Sequence, residues 1–157
     1  MIRRSCALII FAIPLTTASL YAADPIVGTW KLNVAKSKFP SAETAVKDQT
    51  EIYREIPGGE IELTYTRTSA NGSSEAAKFT WPAQGGAARI LQGSYPEGSS
   101  FVEIAVGNGE WYVTYMLNGR QLAAMRKQVS KNTIRETIWA ADPTGKPIQY
   151  NLVLDRQ

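Results

Sequence analysis

Two Asn-Gly pairs, Asn108-Gly109 and Asn118-Gly119, punctuate one short stretch of alternating sequence and limit the folds open to this chain more than any other feature. Asn and Gly tolerate the positive φ angles that a two-residue type I′ turn requires, so the chain must reverse sharply at both places. Phe101 to Val106, Glu110 to Leu117 and Gln121 to Val129 therefore read as a three-strand antiparallel meander. The remainder follows the same rhythm. Pro57-Gly58-Gly59 leads into Glu60 to Thr66, where the period of two places Ile61, Leu63 and Tyr65 on one face and Glu60, Glu62 and Thr64 on the other. Asn71-Gly72 is a further type I′ signal before a strand from Ser74 to Trp81, and a loop at Gln84 to Gly86 precedes a short strand from Ala88 to Gln92. Lys131-Asn132 introduces Thr133 to Ala140, and Asp142 to Gly145 introduces the last strand, Pro147 to Arg156. Upstream, Ile26 to Asn33 is expected as the first strand and Val46 to Ile56 as the second, with room for a turn of helix in the polar stretch between them.

About eight to ten short strands joined by tight turns predict an all-β chain. A single antiparallel up-and-down β-barrel is the expected architecture, because closure removes the exposed edges that such a meander otherwise leaves. A β-sandwich is the alternative.

The first residues resemble an export leader: Arg3 and Arg4, an apolar run from Cys6 to Leu15, then small residues ending at Ala22 and Ala23. We expect a cleaved signal peptide over residues 1–23 and a mature β-barrel domain over residues 24–157, released to the periplasm or beyond. The apolar run is shorter than the roughly 20 residues of a membrane helix. Cys6 also lies too early for a lipid anchor, so no membrane attachment is expected. Losing Arg3 and Arg4 takes the basic count from 17 to 15 against 14 acidic residues, so the net charge falls from +3 to +1. Such near-neutrality provides no field for gripping nucleic acid or anionic membranes. The chain has no histidine, and its one cysteine is in the leader. That excludes the usual catalytic triads, thiol nucleophiles and histidine-bearing zinc sites.

The opening Pro25-Ile26-Val27-Gly28-Thr29-Trp30-Lys31-Leu32-Asn33 resembles the Gly-x-Trp first strand of the calycins, the lipocalins and fatty-acid-binding proteins. The continuation Ala35 to Phe39 and the ending, Asp142 to Pro147 followed by Asn151 to Arg156, are similar to secreted bacterial lipocalin-like proteins. The resemblance implies a lipocalin-like barrel in which Trp30 packs across the closed end and Arg156 lies over its ring, with Gly28 completing a structural motif. A guanidinium over an indole gains roughly 0.5–2 kcal/mol. Fatty-acid-binding proteins hold a carboxylate with Arg-x-Tyr on the last strand; here that stretch reads Gln149-Tyr150-Asn151, without the arginine.

Alternation nominates Ile61, Leu63, Tyr65, Val102, Ile104, Val106, Trp111, Val113, Tyr115, Leu117, Ile148, Tyr150, Leu152 and Leu154 as inward-facing. Leu63, Tyr65, Ile104, Trp111, Val113, Tyr115 and Tyr150 are the candidate ligand-lining residues. The same pattern also describes a filled core, since any half-buried strand needs an apolar face. Trp81, Tyr95 and Tyr112 with Trp111 and Tyr115 suit either a barrel mouth or core and rim packing. Arg120 and Arg126 are expected as surface charges. Glu51, Glu55, Glu60, Glu62 and Glu103 lie on strands and are expected to face solvent, which leaves a carboxylate hydrolase as the least favoured reading. The expected function is non-catalytic binding of a small hydrophobic or amphipathic ligand by a monomer, with no cofactor and no metal. A protein-interaction module of the cell envelope with a filled core is the alternative.

Overall fold

In the computed structural model the described residues are 24–42, 45–142 and 144–157; the expected leader lies outside them. Ten strands follow one another: β1 (Gly28–Leu32), β2 (Val46–Ile56), β3 (Glu60–Ser69), β4 (Ser74–Pro82), β5 (Gly85–Gln92), β6 (Ser99–Gly107), β7 (Glu110–Leu117), β8 (Arg120–Val129), β9 (Thr133–Ala141) and β10 (Pro147–Arg156). Every strand pairs antiparallel with its sequence neighbours, and β1 also pairs with β10, which closes an up-and-down barrel. The sandwich alternative is thereby excluded. A 3-10 turn, Val34–Lys36, lies in the polar stretch after β1. No helix among the described residues is long and apolar enough to cross a membrane.

The turns show why the strand rhythm was readable. Asn108 and Asn118 hold φ angles of 52° and 49°, each followed by a positive-φ glycine, as two-residue I′ turns demand. Asn71 departs from that expectation. Ser69 N donates to Ser73 O and Gly72 N to Ser69 O, giving a three-residue loop in which the Asn71 side chain accepts from the Ser73 amide and hydroxyl. Short-range hydrogen bonding of this kind lets Asn satisfy a turn without entering the left-handed region. Gly109 has φ 73°, and a Cβ there would lie 2.5 Å from the Val129 carbonyl oxygen. Gly109→Ala is therefore expected to cost roughly 1–3 kcal/mol, read as a lowered urea midpoint.

At one end the barrel is plugged. Trp30, Tyr53, Ile61, Trp81, Ile134 and Leu154 are at most 1% exposed, with Trp111 packed beside them. The Arg156 guanidinium carbon lies 4.0 Å from the centroid of the Trp30 ring. Gly28 makes this approach possible, because a Cβ there would lie 2.5 Å from Arg156 Nη1.

Candidate functional site

Above the tryptophan plug the barrel encloses a cavity of about 380 Å³. The pleat sends alternate residues inward, so all the strands except β1 and β5 contribute to its wall. Leu63, Val113, Met125, Ile138 and Leu152 give it an apolar waist. Phe79, Tyr95, Phe101 and Tyr115 form an aromatic wall: the Phe79 and Phe101 rings meet edge-on at 5.0 Å, and Phe101 stacks on Tyr115 at 4.7 Å. Towards the far end exposure rises. Glu75 is exposed, and Tyr65, Arg67, Tyr95 and Tyr150 are half-buried, which marks the mouth. There the Tyr65 hydroxyl donates to Glu75 Oε1 at 2.6 Å, and Arg67 Nη1 lies 3.9 Å from the same oxygen.

The inner end is charged. Glu51 on β2, Glu103 on β6, Lys127 on β8 and Glu136 on β9 all line the cavity, and none is more than 6% exposed. Lys127 and Glu136 are direct cross-strand partners, with Lys127 Nζ 3.3 Å from Glu136 Oε1. Lys127 also reaches across the lumen, donating to the Tyr53 hydroxyl and lying 3.5 Å from Glu51 Oε2. Tyr53 in turn donates to Glu51, and Gln49 Nε2 donates to the other Glu51 oxygen at 2.7 Å. Burial is the main force on the titrations here. It pushes Glu103 up to about 7, with Lys127 resisting and Glu51 adding to the rise. It likewise pushes Glu136 up to about 7, reinforced by Glu51 and opposed by Lys127. Burial alone would depress Lys127, yet Glu51, Tyr53 and both other carboxylates hold it well above its ordinary value.

These two acids bind protons more tightly folded than unfolded, where their pKa is 4.5. The stability they favour is thus present at low pH and is lost as pH rises through about 7. The unfolding free energy is expected to fall by roughly 2–4 kcal/mol between pH 5 and pH 8, measured by urea denaturation at both values.

Of the nominated lining residues, Leu63, Tyr65, Val113, Tyr115 and Tyr150 do border the cavity. Trp111 shares their face but is 3% exposed in the plug below. Ile104 is corrected: it is 50% exposed on the outer surface, and Val106 is 60% exposed beside it. The inward face of β6 instead carries Phe101 and Glu103, because Glu103 faces the Lys127 ammonium inside. The solvent-facing expectation for Glu51 and Glu103 is corrected for the same reason, whereas Glu60 and Glu62 pair outside with Arg89 and Lys78. Arg126 forms a two-pronged ion pair with Glu110. Gln49, Arg67, Lys127 and Glu136 were not among the sequence candidates. Their signal was parity: Glu136 lies between inward Ile134 and Ile138, and Lys127 follows Met125 on one face. No three His, Cys, Asp or Glu side chains among the described residues form a group able to hold a metal ion.

No protein-family model and no curated protein sequence matches this chain. Solved structures do. The wild-type fluorescent protein UnaG superposes with a TM-score of 0.60 at 13% identity, covering 87% of this chain and 100% of that one. Two of its point mutants give TM-scores of 0.60 and 0.55 at 13% and 14% identity, covering 87% and 86% of this chain. At that identity the likeness is one of architecture alone, a closed antiparallel β-barrel.

Proposed function

We propose that this protein is an exported, non-catalytic binding protein that holds one small molecule, apolar in body and polar at one end, inside its barrel. The observation that carries the reading is the cavity of about 380 Å³ with an aromatic wall and an apolar waist. Its size falls within the roughly 300–1,000 Å³ of small-molecule sites. The Arg3-Arg4 start and the apolar run after it support export.

The carboxylates do not argue for hydrolysis. Acid and base roles need two carboxyl groups whose environments drive their pKa values apart. Here burial drives Glu103 and Glu136 in the same direction, and Lys127 is held among the carboxylates as a shared counter-charge.

The test is native mass spectrometry of the protein recovered from the exported fraction, followed by denaturation and identification of what is released. One equivalent of a compound with an apolar skeleton is expected. Protein that arrives empty and leaves an environment-sensitive lipid probe dark overturns the reading, and attention then moves to the outward Ile104, Val106 and Tyr112 as a protein-binding face. Absence from that fraction overturns the export arm.

A further inference from the structure

The inner end of the cavity has more hydrogen-bond acceptors than donors. Glu136 is 1% exposed; its Oε1 is ion-paired with Lys127 at 3.3 Å, and its Oε2 has no hydrogen-bond donor. Gln49 is 2% exposed, and its Oε1 also lacks a donor. The orientation of that amide is fixed by Glu51, since turning it over would set two oxygens against each other. Buried acceptors left bare are costly and uncommon in native proteins, so these two independent side chains call for a donor from elsewhere. Charge tells the same story. Glu51, Glu75, Glu103 and Glu136 line the cavity against Arg67 and Lys127, four acidic groups to two basic ones. The two cations are already engaged, Lys127 by Glu51, Glu136 and Tyr53 and Arg67 by Glu75.

Building on the reading above, we infer that the cavity's ligand is an amphipathic cation, an apolar chain or ring carrying a protonated amine, inserted amine first so that its N–H groups donate to Glu136 and Gln49. The apolar body then lies along Leu63, Val113, Met125 and Ile138 against the aromatic wall. An ammonium supplies three donors and the missing positive charge together, whereas a carboxylate head group supplies neither. Arg67 is the direct cross-strand partner of Gln49, and its buried Nε, beside Tyr65 and Tyr150, is without a partner, so it suits an acceptor carried by the same molecule next to its amine.

Binding is coupled to protons. The groups facing Glu136 are Glu51 and Tyr53 from β2, Glu103 from β6, Lys127 from β8 and Tyr150 from β10. Since Glu103 and Glu136 titrate at about 7, an entering ammonium displaces a proton from this group to the buffer. Affinity for an amine therefore rises as pH rises from 6 to 8 through that value.

The test is calorimetric titration of the full-length protein with decylamine, decan-1-ol and decanoate, which share one chain and differ in head group. Decylamine is expected to bind at least about tenfold more tightly than the alcohol at pH 8, with proton release seen as a dependence of heat on buffer. Glu136→Gln is expected to remove most of that preference, bringing decylamine to within about twofold of decan-1-ol on the same variant, with circular dichroism confirming the fold. Decanoate binding as tightly as decylamine, or an amine preference unchanged by Glu136→Gln, overturns the head-group inference while leaving a small-molecule binder. Failure of all three to bind takes down both readings.

Discussion

Lys127→Met is expected to lower the unfolding free energy by about 3–5 kcal/mol at pH 8, the usual cost of removing one partner from a buried ion pair. Lys127 is 4% exposed and is the cation within reach of both Glu51 and Glu136. Without it, Glu51, Glu103 and Glu136 face one another across the lumen with no compensating charge. The methionine nearly matches the lysine stem in volume, so lost packing contributes little and the effect reports electrostatics. It also reports pH. At pH 5 Glu103 and Glu136, both pushed up to about 7, carry their protons, and the repulsion that Lys127 relieves is largely absent. The destabilisation should therefore shrink to about half or less at pH 5. The double variant Lys127→Met with Glu136→Gln should recover part of the loss at pH 8, because the second change removes one of the stranded charges. Urea denaturation of the two variants at pH 5 and pH 8 measures all of this. A loss of equal size at both pH values would mean that Lys127 acts through packing rather than charge.

The contrast between the barrel and its interior explains what the sequence could tell. Strand boundaries were legible because they depend on residues a few positions apart: Asn108-Gly109 and Asn118-Gly119 force reversals locally, whatever the rest of the chain does. Closure followed from the number of strands and the cost of leaving edges. Which face of each strand turns inward was harder. For β3 the choice was easy, since Ile61, Leu63 and Tyr65 oppose Glu60, Glu62 and Thr64. For β6 the more apolar face, Val102, Ile104 and Val106, is the outer one. What inverts it is Lys127, two strands away, whose ammonium attracts Glu103 inward against the repulsion of Glu51 from β2. A buried charge network stabilises each member only through the others, so no single strand displays the reason for it. Parity alone gave a partial signal. Glu136 between Ile134 and Ile138 can face solvent only if both isoleucines do, and such a glutamate on an apolar face marks an interior polar site.

Trp30→Ala is expected to cost roughly 3–5 kcal/mol, the range for truncating a large buried aromatic residue. The indole is fully buried, and its Nε1 donates to the Ile26 carbonyl at 2.7 Å. Its removal empties the plug between Tyr53, Ile61 and Leu154, and also takes away the surface on which Arg156 rests. That arginine donates from Nε to Lys131 O at 2.8 Å, from Nη1 to Val27 O at 2.8 Å and from Nη2 to Pro25 O at 2.7 Å. One side chain thus ties the β8–β9 turn to the segment entering β1, across the seam where β1 and β10 close the barrel. The stacking is the smaller share, about 0.5–2 kcal/mol, and it can be separated from the cavity cost. Arg156→Ala removes the stacking and the three hydrogen bonds but leaves the indole in place. If the plug is the main determinant, Arg156→Ala destabilises less than Trp30→Ala. The Trp30→Ala, Arg156→Ala double variant then loses less than the sum of the two single changes, because residues in contact are not additive. An unchanged urea midpoint for Trp30→Ala would show that the closed end is held without its tryptophan.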